Sequence, residues 1–132
     1  MIVIDTNIVL DAFVFDDPGS VALKAALAGR SIEWLATQPM RDELERVLAY
    51  PLIAKRLARQ QRDASEVLAR FDAQARIVEV AARAAIRCRD PDDQKFVDLA
   101  LAHQAGLLSK DRALLCLSKR LLALGVRTQP NL

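Results

Sequence analysis

Met1-Ile2-Val3-Ile4-Asp5-Thr6-Asn7-Ile8-Val9-Leu10 is the stretch on which the fold turns. From Met1 to Asp5 the chain is apolar and β-branched, shows no polar alternation, and ends on an acid. That pattern suits a short strand buried on both faces, the usual state of a parallel strand inside an α/β sheet. Thr6 to Val14 then takes the spacing of a helix. A strand feeding directly into a helix is the first half of a β–α–β unit, so the rest of the chain should alternate in the same way.

It does. Asp16-Asp17-Pro18-Gly19 is a break, with Ser20 as an N-cap for a helix over Val21 to Ala28 that Gly29 stops. Ser31 to Ala36 reads as a second strand carrying Trp34 into the core, and Thr37 caps a helix from about Pro39 to Tyr50. After Pro51, helices are expected over Leu52–Arg59 and Ala64–Ala75, with a short strand over Arg76–Val80. Asp90-Pro91-Asp92-Asp93 opens a helix running from Gln94 to Gln104 and ending near Gly106. Leu107-Leu108-Ser109 is a buried strand, Arg112 to Leu124 a last helix closed by Gly125, and Val126 to Thr128 an edge strand. The expectation is a layered α/β fold with a mainly parallel sheet in one domain over 1–132.

Composition narrows the classes. Of 132 residues, 52% are hydrophobic and 27% charged, which describes a globular chain able to bury a core. No apolar run approaches the roughly 20 residues of a membrane span. The opening run is short, has no basic residue before it and ends at Asp5, so no signal peptide is expected and the cytosol is the expected compartment. Cys88 and Cys116 form no CxxC pair and are expected as reduced, partly buried thiols. Net charge is only +2, but residues 1–36 sum to −3 while residues 55–89 sum to +5. Nine of the basic residues lie in that middle segment, which suits phosphate contacts or, equally, the solvated faces of ordinary helices.

Ligands of open parallel sheets bind beyond the carboxyl ends of the strands. Asp5 ends the first strand, and Asp111 follows the Leu107–Ser109 strand by two residues. Asp90, Asp92 and Asp93 start the helix before that strand, and Glu43 lies early in the helix after the second. Four elements can therefore bring carboxylates to one rim. Like charges converge at a cost that a hard divalent cation offsets, and Mg²⁺ prefers oxygen ligands. The single histidine, His103, argues against a histidine-based nuclease and reads as an ordinary helix residue. Taken one at a time, each acid also has an ordinary reading as a helix cap or a solvated helix face.

Four motifs in order carry a family resemblance. Ile2-Val3-Ile4-Asp5-Thr6-Asn7 resembles the opening of PIN-domain proteins, and Thr37 to Leu44 is similar to their second motif, with an acid early in a helix. Asp93-Gln94-Lys95-Phe96-Val97-Asp98 resembles the third and Leu107-Leu108-Ser109-Lys110-Asp111 the fourth. Cys88-Arg89-Asp90-Pro91-Asp92-Asp93 points to the bacterial subgroup of VapC-like toxins from toxin–antitoxin pairs. The resemblance implies a PIN-like (Rossmann-like) three-layer α/β/α fold with a mainly parallel central sheet and an endoribonuclease using Mg²⁺ or Mn²⁺, with Asp5, Glu43, Asp93 and Asp111 as the acidic quartet. Asp5, Asp93 and Asp111 would be the metal ligands, Thr6, Asn7 and Ser109 the polar supports, and Asp90, Asp92 and Asp98 further candidates. It also implies an RNA substrate, a cognate antitoxin protein and a homodimer. Departures from the family pattern are Arg112-Ala113 where relatives carry a further acid, and an ending at Asn131-Leu132 without an aromatic. Two rival readings are a haloacid-dehalogenase-like phosphatase, which needs a second Asp where Asn7 stands, and an inactive PIN-like module that only binds an antitoxin or RNA.

Overall fold

The computed structural model describes residues 1–132. Its elements are β1 (Ile2–Ile4), α1 (Thr6–Phe13), a 3₁₀ turn (Pro18–Ser20), α2 (Val21–Ala28), β2 (Trp34–Ala36), α3 (Gln38–Leu48), α4 (Pro51–Arg59) and α5 (Ala64–Gln74). Then come β3 (Ala75–Ile77), a 3₁₀ turn (Pro91–Asp93), α6 (Gln94–His103), β4 (Gly106–Leu108), α7 (Arg112–Leu115), α8 (Ser118–Ala123) and β5 (Thr128–Gln129). The five strands form one parallel sheet in the order β3-β2-β1-β4-β5, flanked by the helices. This is the expected α/β/α layering. No helix is long and apolar enough to cross a membrane.

β1 sits at the centre because it is buried along its whole length, with Val3 fully enclosed. The chain adds β2 and β3 on one side of β1 and then returns to place β4 and β5 on the other. That reversal between β1 and β4 is a topological switch point, where connections leave in opposite directions and open a crevice. The core beneath holds Trp34, whose ring meets Phe13 and Phe71 edge-on at centroid distances of 6.0 and 4.8 Å. Such edge-to-face contacts match the ring quadrupoles as well as burying area.

Some boundaries differ from the sequence expectation for local reasons. The strands span only two or three residues each, so Ser31–Glu33 and Val78–Val80 lie outside β2 and β3. Thr37 and Ser20 sit at helix starts without a side-chain capping bond. α6 ends at His103 and not near Gly106, because Gln104 adopts a left-handed conformation (φ 51°) and Ala105 N–H closes back on the Ala100 carbonyl. Six-to-one closure of that kind normally uses glycine. The helix expected over 112–124 is two, since at Leu117 the ladder tightens to an i→i−3 bond onto Leu114. Leu114, Leu117 and Leu121 stay buried on one face across the break, so the apolar spacing could not reveal it. Neither cysteine is in a disulfide; Cys88 is half-buried, and Cys116 is exposed, more so than expected.

Candidate metal centre

Asp5 follows β1 directly and is 3% exposed. It serves as N-cap of α1, accepting the Asn7 backbone N–H at Oδ1 (3.4 Å), while its Oδ2 accepts the Ser109 hydroxyl at 2.7 Å. Ser109 is fully buried at the end of β4, and its Oγ in turn accepts the Asp111 backbone N–H at 3.0 Å. One hydroxyl thus links the acid at the end of β1 to the acid after β4, across the switch point. Burial raises the Asp5 carboxyl above its ordinary range; the Ser109 and Asn7 hydrogen bonds oppose that, and the charges of Asp111 and Glu43 add to it.

Asp93 comes from the other side. The 3₁₀ turn Pro91–Asp93 sets it at the N-terminus of α6, 8% exposed, with Oδ2 buried and without any hydrogen-bond partner. Carboxylate oxygens of Asp90, Asp93 and Asp111 lie within 4.8 Å of one another. Burial, a hydrogen bond with the Asp111 carboxyl and the charges of Asp5, Asp111 and Asp90 together push Asp93 up to about 8. An acid held neutral at neutral pH, beside three others and with an orphaned buried oxygen, is the arrangement that a divalent cation would relieve. The donor set is all oxygen, as Mg²⁺ and Mn²⁺ prefer, so the residues present fit such an ion.

The remaining candidates separate cleanly. Glu43, on α3, stands at the edge of the cluster: its Oε1 accepts the Thr6 hydroxyl at 2.8 Å, and its Oε2 is ion-paired with Lys95. Thr6 therefore holds Glu43 and not Asp5, and Asn7 contributes its backbone while its side chain is exposed. Asp92 is exposed beside the cluster. Asp98 is turned away from it, accepting the Ala84 N–H and the Gln94 amide, each at 2.8 Å.

Two residues that the sequence reading quoted but gave no role complete the arrangement. Gln94 is buried and grips the segment leading to Asp90, accepting Cys88 N–H at 2.6 Å and donating to the Ile86 carbonyl at 2.9 Å. With Asp98 it fixes the loop that delivers Asp90. Lys95 brings a cation to Glu43 from α6, a contact 52 residues apart in the chain that no spacing rule exposes. The only available signal was a Gln-Lys pair directly after the acid turn.

A family model described as PIN domain matches residues 1–113, and on that match the chain belongs to the PIN-domain family. No curated protein and no solved structure gives a significant match.

Proposed function

We propose that this PIN-domain protein is an endoribonuclease that hydrolyses RNA phosphodiesters with Mg²⁺ or Mn²⁺ and acts as the toxin of a toxin–antitoxin pair. The observation that carries the reading is the convergence of Asp90, Asp93 and Asp111, with Asp5 close enough to raise Asp93 further. Asp5, Asp93 and Asp111 would hold the cation, with Asp90 as an additional oxygen donor from the loop. When bound, a divalent cation supplies a Lewis acid that offsets charge on the phosphodiester and lowers the pKa of water.

The chain's own residues divide the rest of the work. Ser109 fixes Asp5 and Asp111 in mutual register through its single hydroxyl. Glu43, held by Thr6 and Lys95, would be a further ligand or would orient the attacking water. A small antitoxin protein encoded alongside would cover the site, and a homodimer is the assembly proposed from the resemblance.

RNA cleavage in Mg²⁺ or Mn²⁺ by the parent protein and by Asp5→Asn tests this directly. The expected result is metal-dependent cleavage by the parent, lost on chelation, and a loss of about a hundredfold or more in the variant. Equal cleavage by both proteins overturns the mechanism. Specific binding of RNA or a partner with no metal-stimulated cleavage would instead support the binding-module reading, for which the Lys95 cation on Glu43 is the favouring observation.

A further inference from the structure

Phe13 and Phe15 stand two residues apart at the end of α1 and are treated differently. Phe13 is 2% exposed, with the Arg70 guanidinium 4.3 Å from its ring centroid and Arg62 donating to its carbonyl at 2.7 Å. Those two arginines are taken up by the fold. Phe15 lies only partly against the core. It lines a cleft of about 300 Å³ that also reaches Asn7, the ion-paired Asp11 and Lys110, and, from the candidate metal centre, Asp111. It also walls a hollow of about 150 Å³ with Lys55, Arg56 and Arg59 on α4. The Arg56 guanidinium lies 5.6 Å from the Phe15 centroid, and all three cations are exposed.

Phe15, a half-exposed ring, is thus shared by a cleft that reaches Asp111 and a hollow lined by three exposed cations. Of the basic residues in the middle segment, these are the ones left available beside the cleft, whereas Arg62 and Arg70 point inward. We propose that Phe15, with Arg56, is a stacking platform for one base of single-stranded RNA whose backbone runs between the acidic centre and Lys55 and Arg59. Aromatic rings bind bases without needing their edges, and a neighbouring guanidinium adds cation–π attraction. A paired base keeps its faces inside the duplex, so the platform selects single strands. The proposal rests on the ribonuclease reading for its substrate.

The test uses the Asp5→Asn chain and a short single-stranded RNA carrying 2-aminopurine at one position at a time. Quenching at one position is expected; Phe15→Leu abolishes it and weakens binding about tenfold, and Phe15→Trp restores both. Arg56→Gln, which leaves the ring and its packing in place, weakens binding less and guards against a Phe15 variant that fails to fold. Unchanged quenching and affinity in Phe15→Leu, or equally tight binding of the same sequence as a duplex, overturns the platform. Cleavage by the parent protein is read separately. If it cuts RNA and Phe15→Leu keeps the same KM, the platform falls and the nuclease stands. If quenching depends on Phe15 and no metal supports cleavage, the reverse holds.

Discussion

At the N-terminal ends of β2 and β3 a hollow of about 400 Å³ is lined by Leu27, Ile32, Trp34, Gln74 and two arginines, Arg30 and Arg76. At the C-terminal ends of β1 and β4 lies a cleft of about 300 Å³, walled in part by Asp111. The larger hollow has its charges settled: Arg30 donates to the Ala73 carbonyl at 3.1 Å, and Arg76 faces Glu33 at 3.7 Å. Helix C-termini point to that rim, where cations are favoured. The smaller cleft reaches Asp111, whose carboxyl crowds Asp93, and the buried Oδ2 of Asp93 has no partner; the larger hollow also has two unpartnered polar atoms, on Trp34 and Gln74, but both are neutral. Size therefore does not locate the chemistry of this molecule. The unsettled electrostatics do.

Replacing the most frustrated acid breaks the comparison hardest. Asp93→Asn is expected to reduce RNA cleavage about a hundredfold or more, and it also changes stability. With the Asp93 carboxyl raised from 3.8 to about 8, the folded chain keeps a proton between those pH values that the unfolded chain has released. Stability of the metal-free protein therefore falls as pH rises from about 4 to about 8, with the full penalty present above that. Asp5, raised for the same reason, acts in the same direction. Thermal unfolding in chelator should show Tm declining across that window, a shallower decline in Asp93→Asn, and recovery when Mg²⁺ is added at pH 8. A flat Tm in the parent protein would mean that the carboxyls are not in conflict.

How far these features were legible depends on how local their causes are. β1, β4 and the acids that follow them could be read because a buried parallel strand is continuously apolar and its exit is a change of residue type at Asp5 or Ser109. The direction of Asp98, a further candidate only, is not legible from spacing, because a helical position near Asp93 in sequence turns toward the 84–88 loop in space. Lys95 and Gln94 act on partners set by packing of α6 against the loop and α3, which period and composition do not encode. Composition leaves the arginine-rich middle open between phosphate contacts and ordinary solvated faces, because it does not encode that the members divide between Phe13, Glu33 and the open face of α4.

Ser109→Ala gives the next effect in size. The fully buried hydroxyl both donates to Asp5 and accepts from Asp111, so its loss frees Asp5 Oδ2 and leaves an N–H unpaired. Residues that orient metal-holding carboxylates typically contribute about 10–100-fold in affinity or activity. Mg²⁺ titration followed by thermal shift should show weakened binding of that order, with cleavage restored at high metal concentration. Loss of cleavage that no metal concentration restores would show that Ser109 does more than position the acids.

The smallest effect belongs to the opposite rim, and its smallness is the point. Arg30 sits at φ 53°, a left-handed conformation, and contributes one exposed hydrogen bond to the end of α5. Arg30→Ala removes that bond and keeps the backbone strain, for a cost of about 0.5–1.5 kcal/mol. Arg30→Gly removes the same bond but relieves a left-handed penalty of roughly 1 kcal/mol, so it should be the more stable of the two variants. Because Arg30 lies at the rim of the sheet opposite the acids and bonds only to a backbone carbonyl, neither variant should alter RNA cleavage or its metal dependence. A drop in cleavage by either folded variant would couple the two ends of the sheet and remove the distinction between a hollow that packs the fold and a cleft that does its chemistry.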